Sequence, residues 1–373
     1  MDPQTIFCPN FDCPARGHVG RGNIGIHSQK ERRYICHQCH KTFSETKGTP
    51  LYRLRSDWNV IMVVLTLLAH GCPLQAIVVA FQLDERTVAD WQRRAGQHGE
   101  KVHEHLVQRP RDLGQVQVDE IRVKQQSRIV WLAMAIQVAT RLWLGAALSE
   151  HRDEALLTAL LQKLRACALC RPLLVCVDGW RAYPGVLHKV FREAVPSGGR
   201  GRPHLRLWDG LVIAQVIKQY EHGRVIGVLH RIAQGTPLHV AALLHHTQGG
   251  GVINTAFIER LNATFRARLC NLVRRGRSLA QQVSTLHHGV YWVGTIYNFC
   301  TFHRSLRRPL LIGSRGRVHW AQRTPAMAAG ITDHRWTVQE LLLYRVPPPR
   351  WTPPPRRGRI SRETKQLIQQ WCD

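Results

Sequence analysis

Residues 173–179 read LLVCVDG. An unbroken apolar run closed by Asp178 and a glycine marks a strand covered on both faces, as inside a parallel sheet. A carboxylate at the end of such a strand costs several kcal/mol to bury unless it is paired or holds a metal. Upstream, QVQVDEIRV (115–123) alternates in part, and RIVWLAMAIQ and RLWLGAAL are rich in strand formers. These three segments predict an antiparallel meander. A helix, DEALLTALLQKLRAC, separates the meander from the buried strand.

Downstream, PSGGRGRP (196–203) reads as a loop, and LVIAQVIKQY with RVIGVLHRIAQG as a hairpin. A glycine-rich loop, 248–251, leads into a helix over about 254–269, NTAFIERLNATFRARL, and a further helical stretch covers about 279–303. Three acids stand in marked places: Asp119 on the first strand, Asp178 on the fourth, and Glu259 on the later helix. A ribonuclease-H-like fold brings carboxylates so placed to one sheet edge. Their oxygens suit Mg2+ or Mn2+, and paired ions of that kind serve phosphodiester chemistry. Asn262 and Arg266 follow Glu259 by three and seven residues and share its helix face, a set suited to a phosphate path. Glu120, next to Asp119, is expected on the opposite face of its strand, at the surface or behind the site.

The N-terminus carries a second chemistry. Cys8 and Cys13, then Cys36 and Cys39 within RRYICHQCHKTF, form two pairs whose thiolates can close a tetrahedral zinc site. Arg32 and Arg33 beside the second pair suggest nucleic-acid contact. Next, residues 56–106 read as helices: DWNVIMVVLTLLAH, LQAIVVAF and DERTVADWQRRAG, with a tight turn at 82–84. This is a helix-turn-helix pattern with Ile77, Val79, Phe81, Leu83, Val88 and Trp91 as its core. Thr87, Gln92, Arg93 and Arg94 are its candidate DNA contacts.

Composition agrees with an anionic partner. The formal charge is +27 over 373 residues, with the arginines spread along the chain. A charge of that size repels itself unless nucleic acid offsets it. The longest apolar run, VIMVVLTLLA, is half of what a bilayer span requires, so no membrane role is expected. Eleven cysteines without a leading signal sequence point to a reducing cytoplasm, in association with the nucleoid. His303, Arg304 and Arg307, in FHRSLR, read equally as phosphate contacts or as a solvated helix end. The tail, VPPPRWTPPPRRGR, reads as an unpacked Pro/Arg-rich linker before a terminal helix, SRETKQLIQQW.

Taken in order, the Cys-pair module with RYICHQCHKTFSETKGTPLY, the helix-turn-helix, VDE, CVDGWRAYP, NTAFIERLNATFRARL and LHHGVYWVGTIYNFCTFHRSLR resemble bacterial insertion-sequence transposases of the Asp-Asp-Glu type. The resemblance covers residues 8–345. It implies that Asp119, Asp178 and Glu259 are a metal-binding catalytic triad that cuts and joins element ends. The partners implied are terminal inverted repeats and target DNA, bound by a homo-oligomer. The segment between Asp178 and Glu259 is longer than in compact members, which leaves target-DNA contact and dimer contact both open. The expected division is a zinc ribbon (1–50), a helix-turn-helix domain (51–110), an α/β ribonuclease-H-like catalytic domain (111–310), a helical extension (311–345) and the tail (346–373). Two other functions fit the same residues: a metal-dependent nuclease or resolvase, and a non-catalytic DNA-binding regulator.

Overall fold

The computed structural model describes residues 1–126, 128–195, 202–273, 280–312, 317–353, 355 and 358–372. The chain divides into two units, Met1–Trp58 with Leu342–Asp373, and Asn59–Leu341.

In the first unit, β1 (Ile24–Ser28), β2 (Arg33–Cys36) and β3 (Thr42–Ser44) form a small antiparallel sheet. So small a sheet has little core of its own. Its apolar cluster, Ile6, Ala15, Ile24, Tyr34 and Phe43, is completed by the four cysteines and by Trp371. Trp371 ends a C-terminal helix, Arg362–Trp371, capped by Ser361. The segment expected as a loose tail is therefore part of this unit. Arg16 donates to the carbonyls of Pro349 and Arg350 at 2.8 and 3.0 Å, and His18 bonds the Trp371 carbonyl at 3.0 Å.

The second unit opens with α1 (Trp58–Ala69), α2 (Leu74–Phe81) and α3 (Glu85–Leu106). Gln82 takes the left-handed conformation that ends α2, and Asp84 caps α3 by accepting from the amides of Arg86 and Thr87. Ile77, Val88 and Trp91 are buried, but Val79 is 76% exposed and Phe81 lies at the surface, so two of the expected core positions are not core. The third helix also runs ten residues beyond its expected end.

The main sheet follows. Its strands are β4 (Gln115–Lys124), β5 (Ile129–Gln137), β6 (Trp143–Ser149), β7 (Leu173–Asp178), β10 (Leu211–Glu221) and β11 (Arg224–Gln234), in the order β11-β10-β7-β4-β5-β6. The meander β4-β5-β6 is antiparallel, β7 runs parallel to both β4 and β10, and β10-β11 is the hairpin. Between β6 and β7 lies α4 (Glu154–Cys167), and α5 (Ala182–Val190) follows β7. A separate ribbon, β8 (Arg192–Val195) with β9 (His204–Leu207), brackets the expected 196–203 loop, of which 196–201 lie outside the described residues.

Beyond the hairpin come α6 (Pro237–Gln248), α7 (Ala256–Arg268) and α8 (Val283–Thr295), the last continuing as a π-helical turn, Ile296–Cys300. One sheet face packs Ile121, Val123, Leu132 and Met134 against Ile258, Leu261 and Phe265 of α7 and Leu286 and Val290 of α8. The far half of α3 packs along α8, which places the helical block and the sheet in one unit rather than two. Gly96 makes this possible: a Cβ there would lie 2.3 Å from the His288 carbonyl oxygen. The segment expected as a helical extension opens instead with a hairpin, β12 (Arg308–Ile312) and β13 (Arg317–Ala321), followed by α9 (Pro325–Ala328) and α10 (Val338–Leu343). No helix among the described residues is long and apolar enough to cross a membrane.

Candidate functional site

The parallel pairing of β4 with β7 sets Gln117 beside Cys176, and two residues on each strand leads to Asp119 and Asp178. Asp119 shares its face with Ile121 and Val123, the face that α7 covers. Asn262 of α7, only 3% exposed, donates its Nδ2 to Asp119 Oδ2 at 2.7 Å. Its Oδ1 is buried with no hydrogen-bond partner among the described residues. Oxygens of Asp119, Glu120 and Asp178 lie within 4.8 Å of one another. Glu259 stands outside that group: its carboxylate takes Lys218 at 2.7 Å and the Thr255 hydroxyl at 2.9 Å.

Glu120 is not a surface residue, and its carboxylate joins the group around Asp119. Its side chain is fully buried; it accepts the Tyr183 hydroxyl from α5 and the Arg152 guanidinium at 2.8 Å. Arg152 also reaches Asp178 at 2.9 Å and lies over the rings of Trp180 and Trp131, 4.4 and 5.4 Å from their centroids. One guanidinium thus ties the meander, through Glu120, to the end of β7. Burial lifts the Glu120 carboxyl above its ordinary range and the Tyr183 hydroxyl well above its own.

Buried amides place these acids, and sequence reasoning did not single them out. Gln117 Oε1 accepts the first free N–H groups of α7, from Phe257 and Ile258, at 2.9 and 3.0 Å, while its Nε2 donates to Asn254. The helix that carries Glu259 and Asn262 is thereby pinned to the strand that carries Asp119. Gln215 on β10 donates to the carbonyls of Asp178 and Trp180 at 3.0 and 3.1 Å, and the Trp180 N–H donates to Asp178 Oδ1 at 2.9 Å. The signal was the alternation Gln115, Gln117, Asp119: polar residues on a face that the pattern buries.

The electrostatics follow from this crowding. Burial first, then the charges of Glu120, Asp178 and Glu259, push the Asp119 carboxyl up to about 7. Such carboxylates repel one another unless a cation or a proton sits among them. Hard oxygens in this number are the donor set of Mg2+ or Mn2+, and the buried Asn262 oxygen is a further donor of the same kind.

At the N-terminal site, Cys8 Sγ lies 3.7 Å from Cys39 Sγ, and Cys13 Sγ 3.8 Å from Cys36 Sγ. Thiolates about 2.3 Å from a tetrahedral zinc stand about 3.8 Å apart, so the residues fit that ion. Hydrogen bonds from Cys13 and then Cys8 draw the Cys36 thiol down, and bonding with Cys36 drives the Cys13 thiol up. Four thiolates this close need a cation between them.

The residues expected to meet DNA belong to both units. Arg32 is ion-paired with Glu45, and Arg33 donates to Thr42 at 2.7 Å. Arg93 and Arg94 both pair with Asp90 on α3, Thr87 lies about one turn earlier, and Gln92 lies on the side of that helix that meets Gly289 of α8. Arg266 lies half-buried on α7, one turn beyond Asn262. A cleft of about 750 Å³, lined by Asp112, Pro172 and Gly210 among others, sits at the opposite end of β7 from the acids. No protein-family model matches the chain, and no curated protein sequence matches it.

Proposed function

We propose that the chain is a DNA transposase of the Asp-Asp-Glu type, with a ribonuclease-H-like catalytic sheet. One observation carries the reading: Asp119 of the first strand and Asp178 of the fourth come together within 4.8 Å, and the charge of Glu259 on a later helix adds to those that raise the Asp119 carboxyl to about 7. The strand order supports it too, because β7 returns parallel beside β4 and thereby sets the two aspartates at one sheet end.

In this reading Asp119, Asp178 and Glu259 hold divalent cations. When bound, such ions supply an activated oxygen nucleophile and a counter-charge for the leaving oxygen. Asn262 keeps Asp119 turned toward the site, Gln117 fixes the start of α7, and Gln215 fixes the end of β7. Lys218 and Arg152 neutralise Glu259, Glu120 and Asp178 and stand beside the path of an anionic backbone. The four-cysteine unit and the exposed side of α3 provide surfaces for recognising element ends. A homo-oligomer holds two such ends together.

The test supplies Mg2+, a labelled duplex ending in the element's terminal repeat and a supercoiled plasmid, with Asp178→Ala beside the wild type. The expected result is joined product from the wild type alone. Joining by Asp178→Ala would overturn the reading, and nicking without joining would replace it with a nuclease.

A further inference from the structure

A cleft rich in arginine lies on the other side of α7. Arg260, Thr264 and Arg268 recur every fourth residue, so they form one stripe, rotated away from the stripe of Glu259, Asn262 and Arg266. That stripe forms one wall of a cleft of about 670 Å³. The opposite wall comes from FHRSLR and β13, with Phe302, His303, Arg304, Arg307 and Trp320. The floor includes Tyr297 and Thr301, at the π-helical turn; such turns recur at functional sites.

The chemistry of the lining is one-sided. Four arginines line the cleft, and no acid lines it among the described residues. None of the four makes an ion pair among the described residues. Among the described residues Arg268 donates to the Thr301 hydroxyl, at 3.0 Å, and burial lowers its affinity for its proton. Burial, then Arg141 and Arg260, lower the His303 ring to about 4, so it stays neutral while it bonds Ser305. Guanidinium groups gathered without counter-charge favour an anion, and their forked donors match phosphate.

Aromatic groups are interleaved with these charges. Phe302 and Trp320 are 40% and 45% exposed at the mouth of the cleft, with the Arg335 guanidinium over the Phe302 ring, 4.7 Å from its centroid. Arg307 covers one side of the Trp320 indole, 3.9 Å from the ring centroid. Phosphate-binding arginines beside exposed rings are the composition of a single-strand site, where each base has a flat face to stack. A duplex, with its bases stacked inside, has no use for the rings.

We propose that this cleft binds unpaired nucleotides of a DNA strand, with phosphates on Arg260 and Arg304 and a base on Trp320. Arg260 adjoins Glu259, so the bound strand lies along the helix that carries the third acid. The assignment to DNA at a cleavage site rests on the transposase reading; the preference for an unpaired strand does not.

The test is a fluorescence-anisotropy titration of the full-length protein without added Mg2+ or Mn2+, at fixed salt, with a blunt duplex and with the same duplex bearing a short 3′ thymidine extension. The wild type is expected to bind the extended duplex about tenfold tighter, the size of one or two stacked bases. Trp320→Ala is expected to lose that gain and leave blunt-duplex binding unchanged, which also shows that the variant is folded. Trp320→Phe restores much of the gain, and Arg304→Ala reduces the salt slope on the extended duplex by about one. Equal binding of both duplexes by the wild type would overturn the proposal, as would equal loss on both with Trp320→Ala. No metal-dependent step enters the titration, so failure here leaves the strand-joining test intact. Failure of that test would likewise leave an unpaired-strand preference standing.

Discussion

Lys218 Nζ donates to Glu259 Oε1 at 2.7 Å, so an ammonium from β10 occupies the helix-borne acid proposed to complete the triad. Both partners are exposed, Lys218 by 38% and Glu259 by 47%. A pair so wet is worth at most about 1 kcal/mol, which a divalent cation can displace. Lys218→Met is therefore expected to tighten Mn2+ binding about fivefold in calorimetry, with little change in Tm. Weaker Mn2+ binding by this variant would mean that Lys218 orients Glu259 rather than competing for it.

Asp119 links the site to pH. Its carboxyl is raised to about 7 from the ordinary 3.8, by burial and then by Glu120, Asp178 and Glu259. The folded state thus holds a proton that the unfolded chain releases. The stability this proton confers is fully present below about pH 4 and is lost progressively as pH rises to about 7. Asp119→Asn keeps the shape without the charge. In EDTA at pH 8 it is expected to melt above the wild type by the equivalent of about 1–3 kcal/mol, with the difference shrinking toward pH 5, while strand joining is lost. A difference in Tm that does not vary from pH 5 to pH 8 would rule out a raised Asp119 carboxyl.

Arg152 holds a buried charge. Glu120 has no exposed side-chain surface, and Arg152 supplies its only cation among the described residues. Removing one partner of such a pair costs about 3–5 kcal/mol, because the other stays buried and charged. Arg152→Ala is expected near the lower figure, since Arg152 is itself 33% exposed. Arg152→Ala with Glu120→Gln should recover most of the loss in a double-mutant cycle of urea midpoints. No recovery in the double variant would mean that Arg152 acts through its stacking on Trp180.

Much of this architecture is written in local patterns. The five apolar residues before Asp178 and the alternation around Asp119 expose the central strands, because burial on two faces or one leaves a distinct period. The cysteine pairs expose their site because thiolate spacing has few other uses. What escaped the pattern depends on packing between distant segments. Gly96 carries no sign that a helix lies against it, yet a Cβ there would meet the His288 carbonyl at 2.3 Å. The role of Arg152 depends on three separate elements, and that of Lys218 on how the hairpin lies against α7. The proline-rich stretch near residue 350 misleads by composition, because its place is set by backbone carbonyls that accept from Arg16.

Trp371 tests that last point. It is 3% exposed, in a cluster with Cys8, Cys13 and Cys36, and its carbonyl and ring both meet His18. This indole is the largest side chain in the small apolar cluster of the three-stranded sheet. Truncation of a buried tryptophan costs about 3–5 kcal/mol, and if the four cysteines hold zinc that cost falls on metal retention, since folding and zinc binding are coupled in such units. The purified chain is expected to carry one zinc per chain and to release it slowly to a colorimetric chelator. Trp371→Ala should release it at least about tenfold faster, and Cys36→Ser should not retain it. A Trp371→Ala protein that loses zinc at the wild-type rate would show that the C-terminal helix decorates the cysteine site without holding it closed.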